Sequence, residues 1–399
     1  MCSAAAIKEN LGVTALEEYP QVSICIDCAR HPSLKRIIAA RSVTGICAFC
    51  CRDDVVVRDP QDIEPMVMLL RALIRFYWDE FAYNSHWGGE STPALFADDT
   101  NLVVTPPVAD TYQDEFYLLL EEPPYPDPDK GIAIYAGFDE DGTRHLNLAL
   151  SRSNPSILRK LAQRLLTDDF GDVAPAMEAL IDPFLSDLAF TLPKGTIGMR
   201  ARTGVQATFQ HFDNFETELR RQPYTGAAIG ASPTPGHGRL NREGEPVLYL
   251  ASKVYTALAE IRPHPGHYVS VGGFETLADL KLADFDPDIA LFSQNEVRLD
   301  QFDIIQAFDR LMSTPVTPND KGSYLLTQLL AVVLRQKGFD GVQYRSSVSD
   351  GVNFCLLDPA SAQFMEGHSG VHHVRGITYD APASPVVLVP GFEDYELKS

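Results

Sequence analysis

Apolar and polar residues follow two different periods along the chain, and these periods predict both helices and strands. Long apolar stretches with helical spacing predict three helices in the first half of the chain, over 62–90, 156–171 and 174–192. Short apolar runs rich in β-branched and aromatic residues predict strands in the second half, in PVLYLA, GHYVSVGGF, ADLKLADF, GFDGVQYRSS and GVNFCLLD. We therefore expect an α+β fold.

Two further helices are predicted among these strands. The segment SKVYTALAEI follows the run PVLYLA and has helical spacing, with Ser252 predicted as its N-cap. This order places Tyr249 on a strand and Glu260 on the helix after it. The helix SYLLTQLLAVVLRQKG is expected to end at Gly338, because glycine tolerates the left-handed conformation common at helix C-termini.

The order of these elements predicts four regions. The segment EEPPYPDPDKG has the composition of a solvated linker, and a hairpin is predicted between GIAIYAGF and HLNLALS. The segment TLPKGTIG marks a boundary near Pro193. We expect a small N-terminal module at 1–60, a mostly helical region at 61–195, a mixed β domain at 196–360 and a tail at 361–399 packed on that domain.

Charge and hydropathy narrow the classes of function. The chain has 399 residues, with 54 acidic residues against 33 basic ones and a formal net charge of −21. This balance argues against nucleic acid as a partner, since a duplex binder needs a basic face that displaces counterions. No apolar run reaches the length of a membrane span and the N-terminus lacks a signal-peptide core, so we expect a cytoplasmic location without membrane association.

The cysteines are concentrated near the N-terminus, and their spacing predicts a metal site. Cys25-x2-Cys28 and Cys47-x2-Cys50 are separated by eighteen residues, a spacing typical of four-thiolate zinc sites. The alternatives are two disulfides or four unrelated thiols, and a reducing compartment disfavours disulfides. Because four protein ligands leave no position for water, the zinc would be structural. Cys51 could replace Cys50 as the fourth ligand.

A second set of polar residues is spread over the predicted β domain. Each has an ordinary explanation by itself, since turn arginines are usually solvated, strand tyrosines are usually core residues and helix glutamates usually face water. Their order along the chain is more informative than any single residue. In that order they are Arg200 in MRARTG, Arg239 and Asn241 in GRLN, Tyr249, Glu260, Ser346 after Tyr344, and Asn353.

This order resembles the RES family, which is named for its Arg, Glu and Ser. The resemblance covers about residues 198–358. The N-terminal pattern of CxxC, LKxxI and GxCxxC also resembles a zinc-bearing module found ahead of some RES domains. RES domains are similar in fold to ADP-ribosyltransferase toxins, in which a mixed β core with helices holds NAD in a cleft. The resemblance therefore implies such a core here, behind a helical region and a small zinc module with four cysteine ligands.

The resemblance also implies an activity and a set of site residues. It implies a toxin or defence-type enzyme that consumes NAD by cleaving the nicotinamide–ribose bond, as a glycohydrolase or a phosphorylase. The catalytic residues would be Arg200, Arg239, Tyr249, Glu260 and Ser346. The residues that bind NAD would be Arg200, Arg239, Asn241, Tyr249 and Asn353.

Elementary chemistry agrees with these roles. Breaking the nicotinamide–ribose bond develops positive charge on the ribose, which a carboxylate such as Glu260 stabilises. Arginines at 200 and 239 suit a pyrophosphate, because a guanidinium can bond phosphate oxygens in pairs. Tyr249 could stack on the nicotinamide ring. Ser346 and Asn353 could hydrogen-bond the ribose hydroxyls or the carboxamide.

Several alternatives stay open at this point. The chain could be an ADP-ribosyltransferase acting on a protein, or a non-catalytic interaction protein that binds a nucleotide. The resemblance implies an antitoxin or another regulatory protein as partner, and a homo-oligomer is an open alternative. Arg345 stands where the family often has proline, so it could contact phosphate or compete for Glu260. The spacing from Tyr344 favours Ser346 over Ser347 as the family serine.

Overall fold

The computed structural model describes residues 23–78, 92–108, 120, 156–213, 216–313, 324–346 and 348–378. The predicted linker EEPPYPDPDKG, the predicted hairpin after it and Ser347 lie outside the described residues, as do 1–22 of the predicted module and 379–399 of the predicted tail. Among the helices that are described, none is long and apolar enough to cross a bilayer.

The N-terminal module is built on one helix and one hairpin. Helix α1 spans Pro32–Ala40, and strands β1 (Ser42–Gly45) and β2 (Val55–Arg58) pair antiparallel. Proline suits the first turn of α1, where its missing N–H would have no helical partner. The backbone N–H of Ser33 donates to Nδ1 of His31, which caps this end of the helix. The same contact leaves Nε2 of His31 to carry the ring proton.

The middle region contains four helices among the described residues. They are α2 (Glu64–Tyr77), α3 (Thr92–Ala97), α4 (Ser156–Arg164) and α5 (Phe170–Ile181). The first was predicted over 62–90, but it ends at Tyr77 because Trp78 has an extended backbone. The stretch predicted as one helix over 174–192 is also shorter. It ends at Ile181, and Asp182 still has helical backbone angles as the C-cap residue. The proline at 183 has no N–H to continue the helical hydrogen bonds, and 189–192 form a strand instead.

The second half of the chain is organised around one mixed sheet of eight strands. In the order β12-β8-β4-β7-β11-β10-β9-β3, only the β9–β10 pair is parallel. The strands are β3 (Ala189–Leu192), β4 (Ile197–Thr203), β7 (Leu248–Ala251), β8 (Tyr268–Thr276), β9 (Leu280–Asp284), β10 (Gly341–Arg345), β11 (Val352–Leu356) and β12 (Ala362–His373). Strands β5 (Ala207–Asp213) and β6 (Glu216–Gln222) form a separate hairpin. The predicted α+β class is confirmed.

Four helices and three short 3-10 helices complete the described structure. The helices are α6 (Gly226–Ile229), α7 (Val254–Glu260), α8 (Glu296–Ser313) and α9 (Leu325–Gln336), and the 3-10 helices are Pro60–Asp62, Ile289–Phe292 and Pro359–Ser361. Helix α9 is followed by Gly338 at φ +75°, as its sequence predicted. Helix α8 was not predicted.

Helix α7 begins later than the sequence suggested, and the prediction of Ser252 as its N-cap is wrong. Lys253 occupies the N-cap position without a side-chain hydrogen bond. The Ser252 hydroxyl instead accepts a hydrogen bond from the backbone N–H of Val352 (3.0 Å), and the Ser252 N–H donates to the carbonyl of the same residue (2.9 Å). Ser252 therefore extends the contact between β7 and β11 rather than starting the helix.

Candidate functional site

A cleft opens where two neighbouring strands of the sheet separate. Strands β4 and β7 pair only at Met199 and Ala251, whereas β4 pairs with β8 along its whole length. The cleft has a volume of about 320 Å³, at the lower end of the range of roughly 300–1,000 Å³ for small-molecule sites. Its polar lining comes from Arg200, Arg239, Tyr249, Glu260, Tyr344 and Asn353.

The GRLN turn forms one rim of the cleft and is fixed by its own hydrogen bonds. The side-chain amide of Asn241 donates to the carbonyls of Gly236 (2.9 Å) and Arg242 (3.0 Å), and its Oδ1 accepts from the Tyr249 hydroxyl (3.1 Å). Position 238 must be glycine, because a Cβ there would lie 2.2 Å from Oδ1 of Asn241. The buried side chain of Asn241 thus holds the turn together.

Helix α9 packs against the same turn and donates hydrogen bonds to it. Nε2 of Gln328 donates to the carbonyls of Gly238 (2.8 Å) and Asn241 (3.0 Å), and its side chain is buried. The ring of Tyr324 lies 5.7 Å from the guanidinium carbon of Arg239, within cation–π range. One face of α9 therefore fixes both the path of the turn and the position of its arginine.

Tyr249 joins the turn to the sheet. Its hydroxyl accepts a hydrogen bond from the backbone N–H of Leu240 (2.9 Å) and donates to Asn241. Burial raises the pKa of the Tyr249 phenol well above its usual value. The phenol is therefore neutral at physiological pH, and its ring lines the cleft.

The two arginines of the cleft are held by backbone carbonyls. Nε of Arg200 donates to Ile229 (2.7 Å) and Nη1 donates to Tyr249 (2.9 Å), so this side chain bridges the gap between β4 and β7. Nη1 of Arg239 donates to the carbonyl of Leu311 (3.1 Å). Burial lowers the pKa of Arg200. In the described part of the chain neither arginine forms an ion pair, so both charges are available to an anion.

Glu260 meets the predicted serine and asparagine at the edge of the cleft. Oε1 of Glu260 accepts hydrogen bonds from the hydroxyl of Ser346 (2.8 Å) and from Nδ2 of Asn353 (2.6 Å). Glu260 is the last residue of α7, and the helix is followed by Arg262 at φ +45°. Ser346 follows β10 directly, and Asn353 lies opposite Tyr344 on β11. Three elements thus bring these side chains together.

Arg345 lies away from this cluster, so the expectation that it could compete for Glu260 is wrong. Side chains alternate between the two faces of a strand, and Tyr344 before it already faces the cleft. Nε and Nη2 of Arg345 bond Oδ2 of Asp309, with 2.9 Å for Nε, and Asp286 lies 3.5 Å away. Asp309 is fully buried on α8.

The structure brings the predicted residues together at the cleft, except that Asn241 lies in the turn behind it. Five of the seven line the cleft, namely Arg200, Arg239, Tyr249, Glu260 and Asn353, and Ser346 bonds Glu260 at its edge. Asn241 is buried in the turn behind them. Sequence reasoning missed the apolar wall at Met199, Ala257 and Ile261. Helical spacing from Glu260 could have indicated Ala257, since it lies three residues before Glu260 on α7.

Comparisons with known proteins address the same part of the chain. The family model of the RES domain matches residues 214–375. This segment is a RES domain. The match includes all the predicted cleft residues except Arg200, which lies on β4 ahead of it.

The chain was also compared with solved structures and with curated proteins. The structure titled as the M. tuberculosis MbcT-MbcA toxin-antitoxin complex contains a chain with 14% sequence identity and a TM-score of 0.28, and the alignment covers 49% of this chain and 93% of that one. No curated protein matches the sequence.

Ahead of the RES domain, the predicted thiols converge. The sulfurs of Cys25, Cys28, Cys47 and Cys50 all lie within 4.8 Å of one another. The fourth converging cysteine is therefore Cys50 and not Cys51. The Cys25–Cys50 and Cys28–Cys47 sulfur distances are both 3.8 Å. A zinc tetrahedron with Zn–S bonds of about 2.3 Å has edges of about 3.8 Å, so the four thiols can hold zinc.

The surroundings of the thiols also suit bound metal. The backbone N–H groups of Cys25 and Phe49 donate to Sγ of Cys47 at 3.3 and 3.4 Å, and Nε of Arg52 lies 3.4 Å from Sγ of Cys50. Such donors stabilise the negative charge that thiolates carry when they bind a metal. With four sulfur ligands and no open position, the metal would hold the module together and take no part in catalysis.

Proposed function

We propose that this protein is an enzyme that consumes NAD by cleaving the bond between nicotinamide and ribose. The observation that carries the proposal is the position of Glu260, whose Oε1 is held by Ser346 and Asn353 at the edge of the cleft. The cleft also contains two arginines without ion pairs among the described residues. A negative group and two positive groups are therefore arranged around one small-molecule site.

Glu260 is suited to stabilise the reacting ribose. Loss of nicotinamide leaves positive charge on the ribose, and a nearby carboxylate lowers the energy of this state. Ser346 and Asn353 are neutral donors, so they orient the carboxylate without removing its charge. Both of these hydrogen bonds go to Oε1, which leaves Oε2 able to face the substrate. We assign Ser346 and Asn353 to orienting Glu260, and through it the ribose.

The arginines and Tyr249 are suited to the rest of the dinucleotide. Arg200 and Arg239 would bind the pyrophosphate, since guanidinium groups bond phosphate oxygens and the charges are not compensated. The ring of Tyr249 would pack against the nicotinamide. Asn241 was predicted to bind NAD, but its amide already has three partners within the protein. We therefore assign it to positioning the GRLN turn.

The RES domain supports a toxin or defence role for this activity, with an antitoxin or another regulatory protein as partner. The acceptor of the ADP-ribose group would be water for a glycohydrolase or phosphate for a phosphorylase. An ADP-ribosyltransferase would pass it to a protein, and a non-catalytic binding protein would retain NAD unchanged. The four thiols of the N-terminal module would hold structural zinc.

The test is NAD turnover by the purified full chain, with and without inorganic phosphate, beside a Glu260→Gln variant. We expect nicotinamide release that falls at least about 100-fold in the variant, while Glu366→Gln, an exposed glutamate on β12, leaves it unchanged. Nicotinamide release that requires inorganic phosphate would identify phosphate as the acceptor of the ADP-ribose group. Binding of NAD without nicotinamide release by the wild type would support the non-catalytic alternative instead.

A further inference from the structure

A second cavity lies between the N-terminal cysteine module and the RES domain. Its volume is about 810 Å³, and none of the described residues lines both this cavity and the cleft. Its walls come from the start of α1, the end of α2, the segment 286–289, α8 and the end of β10. We call it the arginine pocket after the four arginines that line it, Arg30, Arg36, Arg310 and Arg345.

Among the described residues that line the arginine pocket, four carry guanidinium groups and two carry carboxylates, Asp286 and Asp288. The guanidinium groups stay protonated at any physiological pH. Two further carboxylates act on them from outside the lining, Asp309 on Arg345 and Asp303 on Arg310. Burial lowers the pKa of His31 in the wall to about 4, so its ring adds no charge at pH 7. Arg30 is the lining arginine that forms no ion pair among the described residues. A small anion can therefore pair with Arg30 and share the guanidinium groups that the aspartates now hold.

Arg30 and Arg36 line the pocket from the N-terminal cysteine module. Nη1 of Arg30 donates to the carbonyls of Asp99 and Asn101, both at 2.7 Å, which fixes the guanidinium without neutralising it. Arg36 pairs with Asp288 at 2.6 Å, and its side chain is 59% exposed. Exposed ion pairs contribute little stability because water screens them, so an anion can replace Asp288 as the partner.

Arg345 lines the pocket from the end of β10. Asp309 fixes its guanidinium from behind, while Asp286 faces it across 3.5 Å. Burial raises the pKa of Asp286 to about 6, against the lowering effect of Arg345. The carboxylate of Asp286 is therefore only weakly held in its charged form. The guanidinium can accept a stronger anion in its place.

We propose that the arginine pocket binds a small phosphorylated molecule. Phosphate groups present several acceptor oxygens to a set of guanidinium groups, and such charge-assisted hydrogen bonds are about twice as strong as neutral ones. The volume is within the range of roughly 300–1,000 Å³ for ligand sites. Tyr77, whose hydroxyl lies 3.1 Å from Nε2 of His31, and the ring of His31 provide the surface for the organic part of the ligand.

The test is calorimetric titration of the full chain with inorganic pyrophosphate at constant ionic strength. We expect Arg36→Gln to weaken binding about tenfold. Asp288→Asn should tighten it about threefold, because it removes the carboxylate that competes for Arg36. Asparagine keeps the side-chain oxygen that caps the 3-10 helix after Asp288. Arg41→Gln is the matched control, since Arg41 follows the same helix and pairs with Asp59 and Asp62 outside the pocket.

Arg239→Gln distinguishes the arginine pocket from the cleft, where pyrophosphate could also bind. Binding that weakens in Arg36→Gln, tightens in Asp288→Asn and persists in Arg239→Gln would support the proposal. Binding that is lost only in Arg239→Gln would place the anion in the cleft and overturn it. Absence of binding to wild-type protein at millimolar pyrophosphate, or equal effects of Arg36→Gln and Arg41→Gln, would also overturn it.

Discussion

The cleft and the arginine pocket lie on opposite sides of strand β10, and their arginines have different partners. In the cleft, Arg200 and Arg239 bond backbone carbonyls and have no carboxylate partner among the described residues. In the arginine pocket, Arg36 and Arg345 form ion pairs with aspartates. The cleft is therefore ready to receive an anion, whereas the arginine pocket must exchange one anion for another.

The two sites also depend on different parts of the chain. The residues that line the cleft fall between 199 and 353, whereas the wall of the arginine pocket includes Arg30, His31 and Arg36 from the N-terminal cysteine module. Strand β10 contributes to both, because Tyr344 faces the cleft and Arg345 faces the arginine pocket. Changes to the N-terminal module should therefore weaken ligand binding in the arginine pocket more than in the cleft.

Loss of the zinc ligands should give the largest effect and separate the sites most clearly. Structural zinc contributes about 10–16 kcal/mol to the folding of small zinc domains, so Cys28→Ser should unfold the module. We expect loss of zinc by elemental analysis, proteolytic cleavage within 23–58 and loss of pyrophosphate binding at the arginine pocket. NAD binding in the cleft should remain.

Asp53→Asn is the control for this prediction. Asp53 is an exposed residue of the same module and is not one of the four convergent cysteines, so its substitution should leave one zinc per chain. Zinc lost equally from both variants would contradict the assignment of the ligands. NAD binding lost along with the zinc would show that the cleft depends on the module.

The sequence was a better guide to the cleft than to the arginine pocket, for a physical reason. The residue types of the cleft follow one another in the order that the RES family shares, and Glu260, Ser346 and Asn353 could be predicted from that resemblance. Their actual contact, through one oxygen of Glu260, depends on how α7, β10 and β11 end. That geometry has no local signal in the sequence.

The arginine pocket had no comparable signal, because its charged residues come from distant elements. Asp309, which fixes Arg345, lies on α8, a helix that was not predicted. An apolar repeat was nevertheless present there, since Leu299, Phe302 and Ile305 recur at intervals of three and are all buried. Mixed polar residues between them weaken the pattern.

A smaller effect is expected from Gln328→Met, which should affect the cleft and spare the arginine pocket. The substitution keeps the volume but removes the donor to the carbonyls of Gly238 and Asn241. Unsatisfied buried acceptors cost about 1–3 kcal/mol each, so we expect the melting temperature to fall by about 3–8 °C. NAD turnover should fall about tenfold, as Arg239 loses its fixed position.

Gln336→Met is the control for this change, because Gln336 is an exposed residue at the end of the same helix. It should alter neither the melting temperature nor turnover. Pyrophosphate binding at the arginine pocket should be equal in both variants and in the wild type. A loss of that binding in Gln328→Met alone would mean that the two sites are coupled through α9 or β10.

The smallest effect is expected from Asp286→Asn, and its sign depends on pH. Burial raises the pKa of Asp286 from an unfolded value near 4 to about 6, so folding favours the protonated form. The resulting loss of stability is absent below about pH 4, grows between pH 4 and 6 and is complete above pH 6. Asparagine removes it, while Arg345 keeps Asp309 as its partner.

The melting temperature of Asp286→Asn should therefore exceed that of the wild type more at pH 7.5 than at pH 5. Because the Asp286 side chain is 40% exposed, water screens the effect and we expect a gain of only about 1–3 °C at pH 7.5. Asp350→Asn provides the opposite case, since Lys253 holds the pKa of Asp350 below its usual value. That variant should gain nothing at pH 7.5. A gain for Asp286→Asn that is larger at pH 5 would show that Asp286 is stabilised in its charged form, and an anion would then have no advantage in replacing it beside Arg345.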